Sequence, residues 1–491
     1  MLSSKINANG EICMRAIELL CIALMVALIA PSAVAASNNV TNASNVTDFS
    51  SLDETIQEEL NVTNTPGCAA AIVSGDKIVY AKGFGVANVE TGQTVTPETL
   101  FMIGSTTKQF TAYTLLSMAE EGKMDINKSV GYYIKDLSPI LSNVTASQLL
   151  SHTAGLKEDS GDYEKDKWDV ESGLEEYIRT LNDSSFFTDP GEIFSYSNTG
   201  FSLVGYLAQI VGGKPYPDAV DERILKPVGM NNSTFYLETA VTHPMSMGYI
   251  GNSSTNVTVY RPFEEDVPEW PAGYLFSNVN DMGRFATAMM NNGTLDGKQV
   301  LSSRVINEMS TPHTPLYSYY PDGSYGYGLI LHNYRGVDVV EHGGNLEGFS
   351  CVFKMVPEHK FALIILDNGA DRNMPNSTKK AFELMLPLKS EVQQKPMEMN
   401  ESEMIRYVGN YSMEQNQNPQ PENITSVTIK DNKLMIKTKD REVALEKVGK
   451  DQFTQTIPEN SEPMHIRFIP GKDGRIKYLH TGFRAFPKIE S

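Results

Sequence analysis

The chain is poor in cysteine, tryptophan and positive charge. Its 491 residues hold four Cys and two Trp, and 41 Lys+Arg stand against 60 Asp+Glu for a net charge of -19. Each shortage excludes something. Cys13 and Cys21 fall in an N-terminal address segment, and Cys68 and Cys351 alone are too few for a disulfide framework. Each of that pair sits in an apolar, strand-like run and reads as a small buried hydrophobe. A strongly acidic chain without a basic stripe repels phosphate backbones and anionic membrane surfaces, so no nucleic-acid partner is expected. Neither His-Glu-x-x-His nor a paired Cys-x-x-Cys occurs, and no metal or cofactor is expected. A Gly-x-Ser-x-Gly elbow is also missing, which leaves an α/β-hydrolase triad without its nucleophile turn.

What is present describes a globular protein. A 41% hydrophobic composition rules out disorder of the whole chain, and at about 150 residues per unit the length suggests roughly three folding units. Lys5 and Arg15 precede an apolar run over residues 19–30, and Pro31-Ser32-Ala33-Val34-Ala35 then supplies small residues where a signal peptidase reads. The run is short for a bilayer span and Glu18 borders it. Residues 1–35 are therefore read as a signal peptide cleaved after Ala35, with Met14 opening a leader of more usual length. No stable membrane span is expected once it is removed. Residues 36–52 are polar and aperiodic and read as a stalk. About sixteen Asn-x-Ser/Thr sequons, Asn39, Asn42, Asn45, Asn61, Asn143, Asn252, Asn256, Asn376 and Asn423 among them, exceed the roughly five that composition gives by chance. Together with the leader they predict a secreted or cell-surface glycoprotein.

The body, residues 53–390, begins with strand-like residues 67–73, a turn at Ser74-Gly75-Asp76 and a second strand over 77–81. A helix is expected over residues 105–121, where Ala112, Leu115, Leu116 and Ala119 recur at helical spacing and Gly122 stops it. Another starts near Asn198. Strands return over 326–330, 337–341, 349–356 and 361–366, and a helix over 378–386 closes the unit. Strands at both ends around a helical insertion predict an α+β domain, an antiparallel sheet flanked by helices and completed by both ends of the segment. Residues 391–400 read as a linker, and the short alternating strands of 401–491 as a detached, small all-β barrel.

Three short motifs could carry chemistry. Ser105-Thr106-Thr107-Lys108 sets a hydroxyl at a helix start and an amine one turn later on the same face, where a base could reach a nucleophile. The pattern also occurs at Ser74 with Lys77 and at Ser377 with Lys380, but only Ser105 opens a long helix. Ser105 reads equally as a helix N-cap, with Lys108 snorkelling to the surface. Tyr196-Ser197-Asn198 precedes the second helix: a tyrosine beside an ammonium can take a proton, and an asparagine amide can hold a carbonyl. His342-Gly343-Gly344-Asn345 ends a strand in glycines that let a ligand backbone approach. His480-Thr481-Gly482 has the same form but lies in the barrel.

In this order and setting the motifs resemble those of the serine β-lactamase and penicillin-binding-protein superfamily, and more narrowly the class C β-lactamase-related group of D-Ala-D-Ala carboxypeptidases, D-aminopeptidases and esterases. Leu149-Leu150-Ser151-His152-Thr153-Ala154-Gly155-Leu156 and residues 271–277 are similar to further family text. The resemblance covers roughly residues 53–390, and the C-terminal part resembles the lipocalin-like domain appended to some members. It implies that Ser105 is acylated, that Lys108 and Tyr196 are its base pair, that Asn198 contacts a substrate amide, and that His342 replaces the third motif's lysine. The backbone N–H of Ser105 and of Asn345, the residue after Gly344, would form the oxyanion hole. A histidine at the third motif implies a charge that fades as pH rises through about 6.5, hence weaker carboxylate binding. Tyr274, where many relatives have glycine, implies a narrower cleft wall. The substrate implied is a small molecule or short peptide, cleaved by a peptidase or esterase rather than a true β-lactamase.

Overall fold

A computed structural model describes residues 47–157, 172–251, 257–261, 266–370, 372–391, 395–413, 423–439, 441–455 and 464–489. The leader, its cleavage position and residues 36–46 of the stalk lie outside these. Among the described residues no helix is long and apolar enough to cross a membrane.

A ten-stranded antiparallel sheet forms the first layer. Its order runs from Thr314–Pro315 through Ser324–Tyr325, Ile330–Tyr334, Val337–Glu341, Phe349–Val356 and Phe361–Asp367 to Gly67–Ser74, Lys77–Asn88 and Gln93–Thr94, with Gly344–Leu346 paired to Phe349–Val356. The seam between the two ends of the domain is the register Cys68↔Asp367 to Ser74↔Phe361. Its strands are buried on both faces, which is why they read as continuous apolar runs instead of alternating ones. Cys68 and Cys351 are buried, unpaired thiols in these strands. Burial raises both thiol pKa values, that of Cys351 to about 12, so both are inert.

Helices cover both faces. On one, Leu52, Ile56 and Leu60 of the helix Ser50–Thr63 pack with the helix Pro375–Met385 over Ile72, Leu363 and Ile365. This helix starts inside the segment read as stalk, because Leu52 already has a core to enter. The other face carries the insertion and the larger core, in which Lys108–Glu120 lies against Asn198–Gly212 and Val279–Met290 against the central strands.

Two expectations are corrected. The helix expected over residues 105–121 runs from Lys108 to Glu120 after a 3-10 turn, and all its side chains from Lys108 to Met118 are buried, polar ones included, so it is a central strut. Residues 326–330 are not one strand. Gly328 has φ +70, and a Cβ there would sit 2.8 Å from the Lys108 carbonyl oxygen, so the chain turns against the central helix before the strand Ile330–Tyr334 begins.

The C-terminal segment folds as a nine-stranded antiparallel sheet whose end strands, Glu442–Ala444 and Glu446–Gly449, are separated only by Leu445. The sheet nearly closes around Tyr407, Tyr411, Phe453 and Phe468. It is not detached. Lys477 Nζ pairs with Glu192 at 2.8 Å, Tyr478 Oη meets Thr188 Oγ1 at 2.6 Å, and His480 is buried between Ser318 Oγ and the Phe194 carbonyl. Met397 N–H donates to the Lys447 carbonyl, which ties that end of the linker to the barrel.

Glu59 joins the two covering helices. Its carboxylate accepts from Asn376 N–H (2.9 Å), Ser377 N–H (2.8 Å) and Ser377 Oγ (2.6 Å). Ser377 is thereby a structural group at a helix start. Glu59→Ala strands three donors in a buried site, and a stability loss of about 3 kcal/mol is expected from urea unfolding. A loss below about 1 kcal/mol would show that the carboxylate contributes no more than an ordinary hydrogen bond.

Candidate active site

The nucleophile turn is built by backbone first. The short strand Phe101–Met102 pairs with Phe276–Ser277, Ile103 N–H donates to the Leu275 carbonyl, and the chain then enters a 3-10 turn, Gly104–Thr107, that feeds the central helix. Gly104 has φ +53, and a Cβ on it would lie 2.7 Å from the Asn345 backbone nitrogen, while a Cβ on Gly344 would strike the Ile103 carbonyl at 1.9 Å. Two glycines thus let the Ser105 turn and the strand Gly344–Leu346 touch backbone to backbone. The amide nitrogens of residues 105 and 345 are brought together there, which is what an oxyanion hole requires. Ser105 makes no N-cap hydrogen bond, and Lys108 does not snorkel.

Lys108 is fully buried, and three acceptors lie around its amine. Nζ donates to Ser105 Oγ at 3.1 Å, Asn198 Oδ1 at 2.6 Å and the Ala272 carbonyl at 2.7 Å. It also lies 4.8 Å from the centroid of the Tyr196 ring and 5.5 Å from that of Phe201. Three acceptors match the three hydrogens of a charged amine, so the buried cation is solvated by the protein. Asn198 is delivered by the first turn of Asn198–Gly212, whose N-cap Ser197 Oγ accepts from Gly200 N–H at 3.2 Å.

Tyr196 is held through the backbone on either side of it. Ser195 N–H donates to the His152 carbonyl (2.9 Å), Ser197 N–H to His152 Nδ1 (3.1 Å), and Tyr196 N–H to the Phe483 carbonyl (2.9 Å) of the barrel's turn between Ile476–Thr481 and Arg484–Ile489. The Arg484 guanidinium lies 5.4 Å from the Tyr196 ring centroid. The barrel therefore forms part of the site's wall.

His342 is buried behind the strand and does not point a cation into the cleft. Burial and the nearby Lys108 charge push its pKa down to about 3, so it is neutral throughout the physiological range, not a group that discharges near the ordinary histidine value. Its Nε2 meets Tyr325 Oη at 3.1 Å, and its carbonyl accepts from Thr106 Oγ1 at 2.8 Å. Tyr274 is buried as well, its hydroxyl pKa raised by burial and then by Asp266.

All seven sequence-derived positions, Ser105, Lys108, Tyr196, Asn198, His342, Gly344 and Asn345, thus lie on segments that meet at this one place. Sequence reasoning missed the Ala272 carbonyl, His152, Tyr325 and the Phe483-Arg484 turn. His152 and Ala272 stood inside quoted family text without a role. Tyr325 and the barrel turn have no motif that could have drawn attention.

Residues 52–384 match the family model described as Beta-lactamase. Among curated relatives, "Unguisins hydrolase ungD'" of Aspergillus campestris is 28% identical over 64% of this chain, and the chain spans 60% of that relative's length. "Penicillin-binding protein 4" of Amycolatopsis lactamdurans is 26% identical over 62% of this chain and 81% of its own. Among solved structures, an octameric penicillin-binding protein homologue from Pyrococcus abyssi aligns with a TM-score of 0.61 and 25% identity, covering 90% of this chain and 100% of its own. That alignment is longer than the family match and so extends into the barrel.

Four buried histidines set the acid response. Burial first, with the Lys108 charge second for His152 and His342, lowers the pKa of His152, His332, His342 and His480, the last three to about 3. Between about 3 and the ordinary histidine value near 6.5 the unfolded chain binds these protons and the folded chain does not, so stability rises with pH across that window. The urea midpoint should be flat from pH 8 to 7 and fall steadily from pH 6.5 to 5. A midpoint unchanged down to pH 5 would mean that the imidazoles are protonated in the fold.

Proposed function

Because this chain belongs to the β-lactamase family, we propose that it is a secreted serine hydrolase that forms an acyl-enzyme at Ser105 on a small amide or ester, as a peptidase or esterase of the class C-related group. The observation that carries this reading is the Ser105 hydroxyl 3.1 Å from a fully buried lysine with two further acceptors. Ser105 Oγ attacks the carbonyl carbon and its proton passes to the Lys108–Tyr196 pair. Lys108 lies against Ser105 Oγ, Asn198 Oδ1 and the Ala272 carbonyl, and Tyr196 is assigned as the member of the pair that accepts. Lys108 and Arg484 lie 4.8 Å and 5.4 Å from the centroid of its ring, so the tyrosine of the pair sits among positively charged side chains. The backbone N–H groups of Ser105 and Asn345 receive the charge on the tetrahedral oxygen. The pair then protonates the leaving amine or alcohol, and a water repeats the steps in reverse on the ester of Ser105.

A neutral His342 favours peptidase or esterase substrates over β-lactams, because the third motif offers no positive charge to a carboxylate. The hydrolase and penicillin-binding-protein names of the curated relatives accord with acyl transfer. Secretion rests on the leader pattern and the sequons.

Intact-mass spectrometry of the deglycosylated protein tests this reading. Incubation with a fluorophosphonate should add one adduct, mapped to Ser105, and Ser105→Ala should abolish it while Ser377→Ala leaves it unchanged. A simple ester should give an adduct that forms and decays, and penicillin and a D-Ala-D-Ala peptide, which both carry a carboxylate, should react more slowly. A folded protein that takes no adduct from any of these probes would instead be a binding protein that keeps the fold.

A further inference from the structure

Behind the reacting groups lies a buried chain of hydrogen bonds whose direction can be worked out. Ser197 N–H donates to His152 Nδ1 at 3.1 Å, so Nδ1 is an acceptor and the neutral ring of His152 carries its proton on Nε2. That Nε2–H faces Tyr325 Oη at 3.1 Å and donates to it. At the other end, His342 Nδ1 lies 2.8 Å from the Gly343 carbonyl, an acceptor only, so His342 carries its proton on Nδ1 and its Nε2 is an acceptor. The Tyr325 hydroxyl is 3.1 Å from that Nε2 and donates to it. One arrangement of protons satisfies every group. It runs from Ser197 N–H through His152, Tyr325 and His342 to the Gly343 carbonyl.

The ends of this chain are the working parts of the site. His152 holds the backbone on both sides of Tyr196, with its carbonyl on Ser195 N–H and its ring on Ser197 N–H, and its own backbone is left-handed at φ +55. A non-glycine residue held there is fixed by its surroundings. His342 is bonded through its carbonyl to Thr106, next to Ser105, and its ring grips the residue before Gly344 and Asn345. Tyr325 is fully buried, and of its ring neighbours His152 and Phe194 belong to the Tyr196 side and His342 to the strand side. A tyrosine that only filled core volume would need a single partner for its hydroxyl. This one accepts from one imidazole and donates to the other.

We propose that Tyr325 is a positioning residue for the acylation of Ser105: its hydroxyl, accepting from His152 Nε2–H and donating to His342 Nε2, locks the two rings to each other and so fixes the distance between the Tyr196 segment and the Gly344-Asn345 strand. A phenylalanine keeps the ring and removes the lock. The proposal rests on the acyl-enzyme reading for its kinetic consequence, while the tautomers themselves do not depend on turnover.

Selective 15N-histidine labelling of the intact protein reads the lock directly. At pH 7 the resonances of His152 should show the Nε2–H tautomer and those of His342 the Nδ1–H tautomer. In Tyr325→Phe, the rate constant for phosphonylation of Ser105 by a fluorophosphonate at saturation should fall about ten- to a hundredfold with the half-saturating concentration little changed, as expected for a small misplacement of groups that remain present. The reversed tautomers, or a doubly protonated ring at either position in the unsubstituted protein, would overturn the proposal even where the variant fails to fold. So would a folded Tyr325→Phe protein that is phosphonylated at the original rate. Labelling that survives in Ser105→Ala would overturn the acyl-enzyme reading alone and leave the tautomer result to be judged by itself.

Discussion

The rest of the site depends on a single buried ammonium. Lys108 has no access to water, and an uncompensated charge there would cost more than a domain's net stability. Its three acceptors come from three places in the chain: the Ser105 turn, the first residue of the helix Asn198–Gly212, and the Ala272 carbonyl of the short helix Trp270–Gly273. These segments are far apart in sequence and must all be folded before the charge is compensated. Formation of the insertion and formation of the site are therefore the same event. A central helix buried on all sides follows from the same requirement, since a partly exposed one would let water replace the acceptors.

That constraint also explains the chemistry of the third motif. A second cation at position 342 would face Lys108 across a dry interior, where repulsion between like charges is strongest. A histidine removes the repulsion by staying neutral, and the neutral ring can then both accept and donate. The same histidine makes possible the chain of hydrogen bonds through Tyr325 to His152. Thr106, bonded to the His342 carbonyl and in contact with Cys351 Sγ at 3.2 Å, ties the nucleophile turn into that arrangement without exposing a polar atom.

Much of this was legible from the chain alone, and the limits have physical causes. The apolar runs at 67–73, 349–356 and 361–366 identify central strands because burial on both faces leaves no room for polar residues. The Ser105 to Lys108 spacing picks out the pair because one helical turn brings the two side chains together, and they meet at 3.1 Å. The pKa of His342 was misjudged because a sequence shows residue types and not their depth, and burial decides the charge of an imidazole. Residues 326–330 were misread as a strand because the left-handed Gly328 and its approach to the central helix are tertiary facts. Tyr325 was missed because its neighbours, His152 and His342, are distant in sequence and meet only in the fold.

The barrel was the least legible part, and its placement changes what the catalytic domain can be said to contain. Of the three consecutive backbone N–H groups at Ser195, Tyr196 and Ser197, His152 satisfies the outer two, and only the Phe483 carbonyl satisfies the middle one. A buried N–H without a partner costs about 1–3 kcal/mol, so without the barrel the segment carrying the base would have to shift or admit water. Phe483 also stacks on Tyr319 with ring centroids 3.9 Å apart, and His480 and Ser318 hold the base of the same turn from opposite sides. The turn is thus anchored to the catalytic domain by side chains and gives back one carbonyl to the base and one guanidinium to its ring. An appended domain that only tethered or solubilised the protein would have no reason to complete the hydrogen bonding of Tyr196. This one does, so the Tyr196 segment is completed by the family domain together with the barrel.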